Sequence, residues 1–76
     1  MAVEFFWTDR NRAHIAEHGL TPRDIEHAYA TASEFTKSRS SGRPAFYGMD
    51  EDFQTIFVVY RELDTNTWYV VTAYPI

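Results

Sequence analysis

The chain has no cysteine, so neither a disulfide nor a thiolate metal site can hold it together. A reducing, cytoplasmic location is the expectation for such a chain. It also has no apolar run approaching the roughly 20 residues that a membrane-spanning helix needs, which argues against a membrane partner. Only three glycines and three prolines punctuate it, so each one is informative about a turn. Positive charge is scarce as well: seven Lys and Arg stand against eleven Asp and Glu, for a net charge of −4. Nucleic-acid-binding domains usually carry a basic surplus. Any contact with RNA must therefore use a local patch, while the overall acidity would suit a basic protein partner.

At 76 residues the chain forms one domain. A domain of this size buries only about 60% of the surface its unfolded chain exposes, so its core has to be efficient. Aromatic residues supply it: six Phe, five Tyr and two Trp. Each ring can bury roughly 150–250 Å². Most are expected inside, with a minority left for a partner-facing surface.

Val3 to Trp7 reads as a first strand. Thr8 is an N-cap, and a helix is predicted from about Asp9 to His18, closed by Gly19, with Ala13, Ile15, Ala16 and Leu20 as its thin apolar stripe. Thr21 and Pro22 open a second helix running to about Ala30, with Asp24 at the capping-box position, Leu20 stapled on Ile25, and Ile25, Ala28 and Tyr29 facing inward. Four strands follow: Ser33–Lys37, Ala45–Met49, Thr55–Tyr60 and Trp68–Tyr74. Asp50-Glu51-Asp52 and Asp64-Thr65-Asn66 supply turn chemistry between them. The order β-α-α-β-β-β-β predicts an α+β domain, with two N-terminal helices on one face of an antiparallel sheet. Thr55–Tyr60, apolar on both faces, belongs in the middle of it.

The segment Asn11 to Pro22 resembles the helix–turn–helix entry of BrnT-family toxins. The features that carry the resemblance are an aromatic strand end at Trp7-Thr8, the pair His18-Gly19 and the cap Thr21. Further on, Arg43 before the pair Tyr47-Gly48, the strand Ile56 to Tyr60 and the closing Val70-Val71-Thr72-Ala73 are similar in place. Glu17 stands where the family commonly has a basic residue, and Tyr74-Pro75-Ile76 replace a common Arg and basic tail. The resemblance implies a toxin of a type II toxin–antitoxin system with a RelE-like fold. Its activity would be ribonucleolytic, without metal or cofactor, and a cognate antitoxin would neutralise it.

Metal-free RNA cleavage needs a base for the 2′-hydroxyl, an acid for the leaving oxygen and a cation for the charge developing at phosphorus. Imidazole titrates near neutrality and suits the first two tasks; the guanidinium fork suits the third. His18 is the expected acid or base, and Arg43 and Arg61 the expected cations. His14 lies one turn from His18 and shares its face with Asn11, opposite Ala13, Ala16 and Leu20. With Lys37 and Arg39 it is expected to contact substrate, and Tyr60 and Tyr74 to stack on bases. Each residue also has a plainer reading. The histidines could be polar helix surface, Lys37, Arg39 and Arg43 a solvated loop, Arg61 an exposed charge beside Glu62, and the tyrosines core or edge residues. A zinc site on His14 and His18 would need a third ligand, and the Asp50–Asp52 run lacks calcium-loop spacing. Two other functions stay open: a non-catalytic binding module of the same fold, and a small structural domain that dimerises through a sheet edge. The enzyme reading requires His18, Arg43 and Arg61 to meet at one phosphate-sized site.

Overall fold

Two threonines set where the helices begin. The computed structural model describes residues 3–76, and in it Thr8 and Thr21 are extended N-caps of α1 (Asp9–Ala16) and α2 (Pro22–Ala30). Each closes a capping box: the Thr hydroxyl accepts the N–H of Asn11 or Asp24, and that residue's side chain accepts the N–H of the threonine. The helical wheel puts Asn11 on a polar surface with His14 and His18. The structure corrects this. Asn11 is only 2% exposed, because its side chain takes the Thr8 N–H and donates to the Phe6 carbonyl. Regular α1 stops at Ala16, short of the predicted His18. Beyond it Gly19, at φ 77°, lets its own N–H reach Ala16 and that of Leu20 reach Ile15, the bonds that close a helix through a left-handed glycine.

Five strands form one sheet: β1 (Glu4–Phe5), β2 (Glu34–Lys37), β3 (Pro44–Met49), β4 (Thr55–Asp64) and β5 (Thr67–Pro75), in the order β1-β5-β4-β3-β2. β2 to β5 are the expected antiparallel meander, with β4 in the middle. The first strand departs from expectation twice. It is two residues long rather than five, and it pairs parallel with β5, Glu4 opposite Thr67 and Phe5 opposite Trp68. Three antiparallel steps separate β2 from β5, so β1 runs opposite to β2 and the helical pair between them reverses the chain.

Both helices contribute to one core. Ile15, Leu20, Ile25 and Ala28 pack with Phe46, Ile56, Val58, Tyr60, Trp68, Val70 and Ala73 from one sheet face. On the opposite face Ala45, Phe57 and Val59 cluster with Tyr47 and Val71, and neither helix contributes to that group. α2 is tied to β3 by Thr31, whose hydroxyl accepts the Met49 N–H at 2.9 Å, and by the His27 ring, whose Nδ1 lies 2.9 Å from the Met49 carbonyl. The turn after β3 is built on Asp50. This residue is buried rather than solvated, and its carboxylate accepts the N–H groups of Asp52 and Gln54.

Asp24 joins these pieces. Its Oδ2 accepts from the Thr21 N–H and hydroxyl, and its Oδ1 from the Glu51 N–H at 3.0 Å. Burial alone would raise its pKa. The N–H groups of Glu51 and Thr21, the Thr21 hydroxyl and nearby His27 outweigh burial and hold the carboxyl below 3.8. A group whose folded pKa is depressed contributes stability that is fully present above its unfolded pKa and is lost as pH falls through the folded value. Asp24→Asn is therefore expected to lower the urea midpoint at pH 7, by the equivalent of about 1–2 kcal/mol. The gap to wild type should narrow as the pH falls below about 3.8. An equal gap at both pH values would show that the carboxylate charge contributes nothing.

Candidate functional site

Alternation along β4 decides which side chains meet on the uncovered sheet face. Tyr60 faces the helices, so Arg61 faces the other way. The strand runs on to Asp64 rather than ending at Tyr60, and this places Arg61 inside it, opposite Tyr69 of β5. The guanidinium lies over the Tyr69 ring, 5.3 Å from its centroid, a cation–π contact that fixes its direction. One step earlier the register slips: Val59 opposes Thr72 but Tyr60 opposes Val70, leaving Val71 as the extra residue of a β-bulge. Bulges re-aim side chains beside sites. Val71 lines a cleft of about 280 Å³ together with Arg10, Asn11, His14, Arg43, Arg61 and Tyr69.

Arg43 reaches this cleft from the turn between β2 and β3. That turn is ordered by its own bonds: the Ser38 N–H donates to the Arg43 carbonyl and the Gly42 N–H to the Ser38 carbonyl, both at 2.8 Å. Gly42 takes the left-handed conformation the turn requires, at φ 73°. Ser38 is buried, with its hydroxyl 3.2 Å from that of Ser40. Arg43 thus sits on a bonded hairpin rather than a free loop.

Two further hollows continue the first. One shares His14, Arg43 and Val71 with it and adds Thr72, Tyr74 and the turn serines. The next shares Ser38, Ser40 and Tyr74 with the second and is lined by Lys37, Arg39, Tyr47 and Phe57 among others. Together they make one groove along the sheet face opposite the core, with α1 walling its Arg61 end.

Arg43, Arg61, His14, Lys37, Arg39 and Tyr74 all line the groove. His18 stands beside it rather than in its lining, its ring 6.3 Å from that of His14 and 6.0 Å from that of Tyr74. The expected meeting of His18 with Arg43 and Arg61 is not found; the imidazole that shares one cleft with them is His14. Tyr60 requires correction as a base-stacking residue. It is 6% exposed and stacked on Trp68, with centroids 3.9 Å apart and planes 10° from parallel. Burial, with smaller effects from Glu62 and Tyr29, pushes its phenol pKa up. Neither ring face is free for a base. Arg10 and Tyr69 were not anticipated. Arg10 is signalled by spacing alone: Arg10, His14 and His18 recur every four residues, one face of a helix.

Charge is segregated. Five of the seven Lys and Arg residues line the groove: Arg10, Lys37, Arg39, Arg43 and Arg61. The other two, Arg12 and Arg23, form the ion pairs found among the described residues, with Asp9 at 2.8 Å and Glu51 at 3.4 Å. Among the groove's lining residues, Glu34 is the one with an acidic side chain. Such a surface can bind phosphate oxygens at several points, offer rings for stacking and place an imidazole among guanidinium groups. Among the described residues, no helix is long and apolar enough to cross a membrane. Comparison with known protein families, curated proteins and solved structures finds no match to this chain.

Proposed function

We propose that the groove binds single-stranded RNA and cleaves it by metal-independent acid–base chemistry, as a toxin-type endoribonuclease held in check by a cognate antitoxin protein. One observation carries this reading: an acidic chain gathers five cations, none in an ion pair among the described residues, along one groove with an imidazole and aromatic rings. Arg43 and Arg61 take the phosphate that reacts, and His14 and His18 serve as the acid–base pair. The base removes the proton of the 2′-hydroxyl. The 2′-oxygen then attacks phosphorus, and the 5′-oxygen departs with a proton from the acid, leaving a 2′,3′-cyclic phosphate and a 5′-hydroxyl. Tyr74 stacks on a neighbouring base. An antitoxin that buries the same groove blocks access, and its contacting segment would be acidic or ring-bearing to match the cations.

The test is cleavage of labelled single-stranded RNA in EDTA by the purified protein. Arg43→Ala and Arg61→Ala should each slow it by about 10²–10³-fold, and His14→Ala or His18→Ala, which removes a proton-transfer group, by about 10²–10⁴-fold. RNA that is bound in a salt-sensitive way but never cut would identify a non-catalytic binding module. Cleavage indifferent to Arg43→Ala, Arg61→Ala, His14→Ala and His18→Ala alike would remove these assignments. Neither binding nor cleavage would end the proposal.

A further inference from the structure

The far end of the groove is built differently from the end at Arg61. Phe57, 7% exposed, forms a floor between two tyrosine rings, its centroid 4.8 Å from that of Tyr47 and 5.7 Å from that of Tyr74. Lys37 and Arg39 stand at the same hollow, of about 440 Å³. Glu34 lines it too: it lies opposite Tyr47 in the ladder and therefore on the same face. Its carboxylate makes no ion pair among the described residues, although two cations line the hollow with it. A carboxylate there works against phosphate binding. What it can do is accept hydrogen bonds, since an ionised carboxylate has no donor.

We infer that this hollow is a base-specific subsite, in which a guanine of the RNA lies against the tyrosine rings and is selected by Glu34. The inference rests on the RNA-binding reading above. Guanine offers two adjacent donors, N1–H and the N2 amino group, spaced to meet both oxygens of one carboxylate. Adenine and cytosine present one amino group beside a ring-nitrogen acceptor that repels the carboxylate. Uracil has a single N–H flanked by two carbonyls. Paired donors on a charged acceptor are among the stronger hydrogen bonds, and a site built for them rejects bases that cannot supply them. Arg39, in the turn beside the hollow, holds a phosphate next to that nucleotide.

Equilibrium binding of 2′-O-methyl hexanucleotides, which cannot be cleaved through the 2′-oxygen, tests this with the whole protein. The set is a uridine hexamer carrying one guanine, one adenine or one hypoxanthine at an internal position, with 5′-GMP as the free nucleotide. The guanine hexamer should bind at least about tenfold tighter than the adenine one, and hypoxanthine, which lacks the N2 amino group, should fall between. Glu34→Gln should bring guanine and adenine to within about twofold while leaving the adenine hexamer bound as well or better. Arg61→Ala should weaken all three by one common factor and keep their ratio. Equal affinities in the wild type, or a preference that survives Glu34→Gln, would overturn the subsite and leave the RNA groove standing. Binding of GMP as tight as that of the hexamer would overturn it in favour of a free-nucleotide site. Failure of every hexamer to bind would instead bring down the reading on which the subsite rests.

Discussion

Gly48→Ala should remove at least about 3 kcal/mol of stability, the upper end of what overpacking usually costs. Gly48 sits inside β3, opposite Ile56. Its backbone is not left-handed, so the need for glycine there is one of space. A methyl group at this position would run into the Ala28 carbonyl oxygen, with the Ala28 carbonyl carbon at 2.7 Å and Cα at 2.9 Å. All three are backbone atoms of α2, and no rotamer change can relieve the contact. The helix would have to lift from the sheet, straining the Thr31 and His27 contacts to Met49. A glycine within a strand often marks such a close backbone approach. In a domain this small, each kcal/mol moves the melting temperature by about 4–8 °C, so a fall of roughly 12 °C or more is expected in thermal unfolding. A loss under about 1 kcal/mol would mean that α2 does not rest on β3 as described.

Phe46→Ala should cost about 3–5 kcal/mol, the range for deleting a fully buried aromatic ring. Phe46 has no exposed surface and lies at the centre of the ring cluster. Its centroid is 5.5 Å from Phe35, 5.9 Å from Tyr60, 6.1 Å from Tyr29 and 6.4 Å from Trp68. The substitution removes the shared neighbour of four rings, and Tyr60 and Trp68, already stacked on each other, cannot both turn to fill the gap. With total stabilities of about 5–15 kcal/mol usual for domains, such a loss leaves little in reserve. Urea unfolding should show a lower midpoint at an unchanged slope. Phe46→Leu should recover much of the difference, because it restores most of the volume. An alanine variant within about 1 kcal/mol of wild type would show that the cluster repacks freely.

The parts of the fold that local chemistry decides were legible in the sequence. Thr8, and Thr21 with Pro22, marked the two helix starts because capping acts within four residues. The run Ile56 to Tyr60, buried throughout, announced the middle strand. Long-range pairings were not legible. A two-residue β1 carries no alternation to read, and its parallel partner lies more than sixty positions away. The helical wheel misplaced Asn11, since a wheel ignores the cap that turns a first-turn side chain back onto the backbone. At the site, Arg43 and Arg61 were visible as cations beside strands, but the face each takes was not. An all-apolar strand gives no sign of which side the helices will cover, and so Tyr60 and Arg61 could not be assigned to opposite faces. The bulge at Val71 has no signature in the residues around it.

The separation of charge also changes what the net charge means. The molecule measures 29 × 28 × 27 Å. At physiological ionic strength a charge is felt over about 8 Å, so any carboxylate farther than that from an anion seated among Arg10, Arg43 and Arg61 is largely screened from it. At about 0.01 M salt the reach grows to roughly 30 Å, as long as the protein itself, and those same carboxylates oppose the approach. The groove thus becomes electrically independent of the rest of the surface as salt rises, and isoelectric measurements describe only the average of the two.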